Sequence, residues 1–151
     1  MERELHDGIN GIGKNEYVNS FPELKHVFLV GNLQKPCPHP FIRDERLELI
    51  VCSYLPGDDG LLHWHRNITE YELVIEGEIG VFEVESGETH WFTAWDLIVI
   101  PAGKCVQRIV RQATKTVTVK VPSSADKVHC AQCARACWRR VESYREETEC
   151  E

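Results

Sequence analysis

Two histidines and a glutamate near the middle of the sequence have the types and spacing of a metal site. His63 and His65 are separated by one residue, and Glu70 follows five positions after His65. Side chains alternate between the two faces of a β-strand, so both histidines point to one side while Trp64 faces the other. After a short turn, Glu70 can return a carboxylate to the same space. Two imidazoles and one carboxylate bind a divalent metal ion and leave further positions open to water or substrate.

Glycines on both flanks of these residues complete a longer pattern. Gly57 stands six positions before His63, and Gly77 stands seven positions after Glu70. The segment therefore resembles the first conserved motif of the cupin superfamily, G(X)5HXH(X)3,4E(X)6G, at every position. The resemblance implies a jelly-roll barrel in which His63, His65 and Glu70 hold one ion. Iron, manganese, nickel and zinc are all compatible with this donor set.

The second cupin motif, G(X)5PXG(X)2H(X)3N, is only half present. Residues 101–103 (PAG) fit its PXG turn, but Trp95 replaces the leading glycine and Val106 replaces the histidine that is the fourth ligand. A valine cannot bind a metal, so either the site works with three protein ligands or the metal has been lost and the barrel binds something else. Cys105 and Gln107 flank Val106. Regular alternation points both away from the ion, although a β-bulge would turn either inward.

Four further residues are candidates for catalysis or substrate binding beside the ion. Glu72 follows Glu70 by two positions and shares its face of the strand. There it is a candidate general base or pH-sensitive substrate binder; the alternatives are an exposed acid near the barrel mouth or a partner of Arg108. Arg108, on the strand after the PAG turn, is the second candidate catalytic residue and can meet an anionic substrate. Tyr54 and Gln107 are the predicted substrate-binding residues.

Short segments rich in β-branched and aromatic residues fill the chain from residue 26 to residue 121 and predict an all-β fold. Turn residues separate several of them, and no helical pattern intervenes, which favours a sandwich or barrel. We predict one cupin jelly-roll β-barrel over 21–122, preceded by an N-terminal arm at 1–20. The predicted strands are HVFLV (26–30), LELIVCSYL (47–55), YELVIEG (71–77), IGVFEVE (79–85), THWFT (89–93), LIVIP (97–101) and TVTVKV (116–121).

The last segment, 123–151, predicts an added C-terminal α-helix followed by an acidic tail. Ser124 is a candidate N-cap for a helix over 125–147. One helical stripe, roughly 60° wide, comprises Cys130, Cys133, Cys137, Val141 and Tyr144. Such a stripe favours packing on the barrel or on a partner helix, and it predicts a homodimer. Binding of zinc or an iron–sulfur cluster by His129 with these cysteines, and redox pairing, are the alternatives.

Composition and charge argue against two classes of partner. The net charge is −7, with 24 acidic against 17 basic residues, so nucleic acid is not an expected partner. No apolar run is long enough to span a bilayer, and the first residues lack the apolar core of a signal peptide. We therefore expect a cytoplasmic protein without a membrane partner.

Together these patterns predict a metal-binding cupin with a small-molecule ligand. The first hypothesis is a metal-dependent enzyme of the dioxygenase or isomerase type that acts on a small polar metabolite. The alternative is a non-enzymatic sensor or binding module that uses the barrel cavity, and the incomplete second motif favours it. The fold alone does not choose between them, because cupins serve both purposes.

Overall fold

Strands dominate residues 2–21 and 23–129, which are the residues that the structure, a computed structural model, describes. They are β1 (Glu2–Glu4), β2 (His26–Gly31), β3 (Phe41–Arg43), β4 (Glu48–Tyr54), β5 (His63–His65), β6 (Thr69–Glu76), β7 (Glu78–Glu83), β8 (Glu88–Thr93), β9 (Leu97–Ile100), β10 (Val106–Val110), β11 (Thr114–Val121) and β12 (Lys127–His129). Two short 3-10 helices, Lys14–Glu16 and Val18–Ser20, precede β2. The predicted all-β class is confirmed. Within the described residues, no helix has the length and apolar character needed to cross a membrane.

The strands form two sheets with the apolar core between them. The seven-stranded sheet has the order β1-β3-β2-β4-β11-β6-β9, and the five-stranded sheet has the order β12-β5-β10-β7-β8. Most neighbours are antiparallel, although β3 pairs in parallel with both β1 and β2. Both sheets contribute to the core, which includes Ile50 and Val74 from the first and Ile79, Val106 and Val110 from the second.

Strand β6 shows how the pleat positions polar groups. Glu70 and Glu72 are buried on its inner face, whereas Tyr71 between them is exposed. The paired strand β9 likewise exposes Leu97 and Val99. At this end of the barrel two carboxylates share the interior with Ile98 and Ile100, while several apolar side chains lie outside. Charges are buried in proteins only with partners, so these buried carboxylates mark a candidate site.

The last glycine of the first motif is required for steric reasons. Gly77 connects β6 to β7 with a φ of 89°. A side chain at this position would collide with the backbone of Ala113 and Thr114. Glycine adopts the left-handed conformation without strain and leaves this space open, so the turn brings β7 into place directly after β6.

Trp95, which replaces the leading glycine of the second motif, keeps the conformation that a glycine would adopt. Its φ is 74°, and its side chain is 74% exposed. A left-handed residue with a Cβ costs roughly 1–2 kcal/mol. Because the indole is largely exposed, its burial offsets little of this strain.

We expect Trp95→Gly to stabilise the protein by roughly 0.5–1 kcal/mol, since relief of backbone strain exceeds the added entropy of the unfolded chain. Urea denaturation of the metal-free protein measures the effect. Trp95→Ala is the matched control, because alanine removes the indole but keeps the Cβ. Equal stability of the glycine and alanine variants would show that relief of left-handed backbone strain does not cause the stabilisation.

Both ends of the described chain differ from the sequence-based expectation. Within the predicted arm at 1–20, β1 pairs with β3 and extends the seven-stranded sheet. At the other end, β12 pairs with β5, where we expected the first turn of the C-terminal helix. A helix beginning at 125 is therefore wrong for residues 127–129, because backbone pairing with β5 outweighs a weak local preference. The rest of the predicted helix, with its cysteine stripe, lies outside the described residues.

Candidate metal centre

Strands β5 and β6 bring the three predicted ligands together. His63 and His65 on β5 are 4% and 6% exposed, and Glu70 on β6 is 1% exposed. Candidate ligand atoms from the three side chains all lie within 4.8 Å of one another. The two imidazole rings are nearly perpendicular, with centroids 5.4 Å apart. Small adjustments of these side chains are enough for all three to contact one ion with bonds of about 2.0–2.2 Å.

A backbone carbonyl fixes the tautomer of His63. Its Nδ1 lies 2.7 Å from the carbonyl oxygen of Leu61, which can only accept, so Nδ1 carries the proton and donates. Burial, reinforced by the positive charge of Lys127, lowers the pKa of His63 to about 3. The imidazole is therefore neutral at physiological pH, and the Nε2 lone pair is available to a metal ion.

His65 is held between two carboxylates. Its Nδ1 lies 2.9 Å from Oδ1 of Asp126, and its Nε2 lies 2.8 Å from Oε1 of Glu70. When Nδ1 donates to Asp126, a neutral imidazole presents its Nε2 lone pair to a carboxylate oxygen. Two electron-rich atoms this close need a cation between them. If His65 is an imidazolium, this cation is the proton on Nε2. In a carboxylate–histidine–metal arrangement, it is a metal ion.

Glu70 remains ionised in spite of its burial. Burial alone would raise the pKa of Glu70, but the charge of Arg108, the hydrogen bond from His65 and the charge of Lys120 hold it well below its usual range. Arg108 donates from Nη2 to Oε2 at 2.7 Å, and Lys120 Nζ lies 3.7 Å from Oε1. Because Arg108 engages Oε2, Oε1 is the oxygen that is placed to bind an ion with His65.

Glu72 and Arg108 form an ion pair behind the candidate ligands, with the carboxylate buried and the guanidinium largely buried. Glu72 is 0% exposed and accepts a hydrogen bond from Arg108 Nε at 2.9 Å. The hydroxyls of Thr116 and Thr118 donate to its other oxygen at 2.7 and 3.0 Å. Burial opposes the charge of Arg108, but the carboxylates of Glu72 and Glu70 raise its pKa well above the ordinary value. Of the alternatives considered for Glu72, the structure shows the pairing with Arg108.

A cavity of about 350 Å³ opens beside these residues. Its described wall includes His63, Arg108 and Tyr54, so the structure brings the predicted Tyr54 to the site. Gln107 is not part of that wall. Its side-chain amide instead donates to the carbonyl of Gly60 at 2.8 Å. Regular alternation along β10 therefore keeps Gln107 away from the ligands, and Val106 lies in the apolar core.

The site includes three residues that were not assigned to it from the sequence: Asp126, directly before β12, and Lys127 and His129 within β12. Asp126 holds His65, while Lys127 and His129 pair with His65 and His63 and line the cavity. The only local signal was Val128, one apolar residue between two polar ones, which is too short to indicate a strand. The cysteine stripe that follows predicts a helix, and the predicted helix over 125–147 includes His129.

Asp126→Ala is expected to weaken divalent-metal affinity by about 10–100-fold, because this carboxylate orients His65 and raises the basicity of its Nε2. Competition with a chelator measures the change. Asp126→Asn keeps a hydrogen-bond acceptor but loses the charge, so its metal affinity should lie between those of Asp126→Ala and the wild type. Unchanged metal affinity in both variants would mean that Asp126 does not influence His65 as a metal ligand.

Comparison with known proteins gives the fold. No protein-family model and no curated protein match the chain. One similar structure is an uncharacterised Klebsiella pneumoniae protein with a double-stranded β-helix domain, at 19% identity and a TM-score of 0.52 over 57% of this chain and 76% of that one. Another is NMB1881 from Neisseria meningitidis, at 12% identity and a TM-score of 0.55 over 74% of this chain and 99% of that one.

A third similar structure is that of an enzyme. Pac13 from Streptomyces, a nucleoside dehydratase, aligns at 17% identity and a TM-score of 0.51 over 57% of this chain and 69% of that one. The chain has a cupin fold. The sequence resemblance and the structural comparison thus agree on the fold, and the fold does not determine the function.

Proposed function

We propose that this cupin is an enzyme that binds one divalent metal ion through His63 Nε2, His65 Nε2 and Glu70 Oε1. The observation that carries the proposal is the 2.8 Å separation of His65 Nε2 from Glu70 Oε1, with Asp126 on the opposite nitrogen. The donor set fits a metal because both imidazoles have a proton acceptor at Nδ1, which leaves Nε2 for the ion. Iron, manganese, nickel and zinc all accept two imidazoles and a carboxylate.

The residues around the ligands support catalysis on a small polar metabolite. A bound ion would supply a Lewis acid or an activated water at the open coordination positions. Leu61 and Asp126 orient the imidazoles, and the Glu72–Arg108 pair fixes Glu70 through its Oε2. We therefore assign Glu72 and Arg108 a positioning role toward Glu70. Tyr54 lies in the wall of the adjoining cavity, where a substrate would bind. An oxygenase and an isomerase both remain compatible with this arrangement.

A metal-free binding module is the second candidate, and a specific observation favours it. Arg108 and Lys120 already place positive charge beside Glu70, and His65 completes its hydrogen bonding when protonated. The carboxylate is therefore neutralised without an ion. In that case the cavity would bind its ligand as a sensor does, and no metal would be required.

Metal content of the purified full chain distinguishes the two candidates. Elemental analysis should find one transition-metal ion per chain. After removal of metal with a chelator, calorimetric titration with Mn²⁺, Fe²⁺, Ni²⁺ or Zn²⁺ should saturate at one ion. Failure of all four ions to bind would overturn the proposed enzyme and leave the binding module.

The expected homodimer is also a proposal. The cysteine stripe on which it depends lies outside the described residues, and a truncation that tests it must retain Asp126 and β12. Light scattering on the full chain and on a chain ending at His129 therefore provides the comparison. An unchanged oligomeric state after truncation would reject the stripe as the dimer contact.

A further inference from the structure

We propose that His129 of β12 is a fourth protein ligand of the metal ion, in the role of the histidine that the second motif lacks. This inference rests on the proposed metal centre and adds a residue to it. It also changes the expected donor set, from two imidazoles and a carboxylate to three imidazoles and a carboxylate.

The sheet register provides the first reason. His63 has a cross-strand partner on each side, Val106 on β10 and His129 on β12. Residues that pair directly across antiparallel strands point to the same face, with Cβ atoms about 4.5–5.5 Å apart. The position that carries the motif's histidine is thus one neighbour of His63 and holds a valine. The other neighbour, related to it across β5, holds an imidazole.

An unpartnered nitrogen provides the second reason. His129 Nδ1 is buried and has no hydrogen-bond partner among residues 2–21 and 23–129. A buried polar atom without a partner is costly, and such atoms in native proteins usually indicate an ion, a water or a ligand. His129 also lines the cavity together with His63, so its ring is next to the open side of the candidate site.

Ring positions show that His129 would have to move in order to bind. The centroids of His63 and His129 are 6.4 Å apart, against 5.4 Å for His63 and His65. His129 does not belong to the cluster of three whose ligand atoms lie within 4.8 Å of one another. Binding therefore requires the ring to move toward the ion. His129 ends the three-residue strand β12, and the movement requires a different side-chain rotamer at this position.

The test counts imidazole ligands in the full chain. Chelator-treated protein is loaded with one equivalent of Cu²⁺, and pulsed electron paramagnetic resonance measures how many imidazoles bind. We expect three in the wild type and two in His129→Gln. His90→Gln, which changes an exposed histidine on β8, is the matched control and should keep all three.

Zinc affinity, measured by competition with a chelator, provides a second readout. His129→Gln should raise the Zn²⁺ dissociation constant by at least about tenfold, the lower end of the effect for groups that only orient a ligand. Two imidazoles in the wild type, with an unchanged spectrum in His129→Gln, would overturn the role of His129 and leave the three-ligand site intact. A wild type that binds neither Cu²⁺ nor Zn²⁺ would overturn the metal centre itself. The imidazole count of the wild type decides the question even if the variant folds poorly.

Discussion

Arg108→Met is expected to destabilise the metal-free protein by about 3–5 kcal/mol at pH 7, the cost of removing one partner from a buried charge network. The guanidinium lies between Glu70 and Glu72, at 2.7 and 2.9 Å from their oxygens. Its removal leaves Glu72 with hydrogen bonds from two hydroxyls and no paired cation among the described residues, and leaves Glu70 with His65 and with Lys120 at 3.7 Å. Chemical denaturation in the presence of a chelator measures the loss. Arg111→Met is the control, because Arg111 is exposed and stacks on Trp91.

The pH dependence of that loss has a definite sign. In the wild type the lowered pKa of Glu70 contributes stability above the ordinary value of 4.5, and this contribution disappears as the pH falls through the folded pKa. In Arg108→Met, the charge and the hydrogen bond of Arg108 no longer oppose burial, so the pKa of Glu70 rises above its wild-type value. The variant therefore binds a proton on acidification that the wild type does not bind.

The stability gap between Arg108→Met and the wild type should therefore narrow as the solution is acidified from pH 7. The limiting slope is about 1.4 kcal/mol per pH unit for one proton. The gap for Arg111→Met should stay constant over the same range. Parallel stability curves for Arg108→Met and the wild type would show that Arg108 does not keep Glu70 ionised.

Glu70→Gln and His63→Gln are each expected to abolish stoichiometric metal binding while the protein stays folded. Each substitution removes one metal ligand from a small set. Metal affinity should therefore fall by more than about 100-fold, which exceeds the loss caused by mutating a residue that only orients a ligand. Folding should survive because Glu72 still pairs with Arg108 in Glu70→Gln, and because glutamine can still donate near Leu61 in His63→Gln.

Matched controls are available at exposed positions of β6 and β8. Glu76→Gln changes a carboxylate at the exposed end of β6, and His90→Gln changes an exposed imidazole on β8. Calorimetry on chelator-treated protein should give one ion per chain for both controls and no saturable binding for the ligand variants. Retention of one ion by either Glu70→Gln or His63→Gln would remove that residue from the site.

Local patterns in the sequence were sufficient for the fold class and for the three central side chains. His63 and His65 share a face because strand side chains alternate, and the same alternation placed Glu72 beside Glu70. These relations involve residues a few positions apart, so periodicity alone determines them. Alternation also points Gln107 away from the cavity in the absence of a bulge, and its side chain donates to Gly60 instead.

The pairing of Glu72 with Arg108 was among the sequence-based alternatives, but the other contacts between residues distant along the chain could not be found in this way. Asp126 contacts His65 across 61 positions, and Arg108 contacts Glu70 across 38. Such contacts depend on which strands are neighbours in a sheet, and a short segment carries little of that information. Strand β12 is the clearest example, since three residues pair with β5 although the segment that follows has a helical pattern.

Anomalous diffraction from crystals grown with Mn²⁺ or Zn²⁺ tests the proposed metal centre most directly. We expect one peak per chain at about 2.0–2.2 Å from His63 Nε2, His65 Nε2 and Glu70 Oε1, with Asp126 still bonded to Nδ1 of His65. A metal-soaked crystal in which His65 Nε2 and Glu70 Oε1 remain in direct hydrogen-bond contact, with no anomalous peak between them, would contradict the proposal.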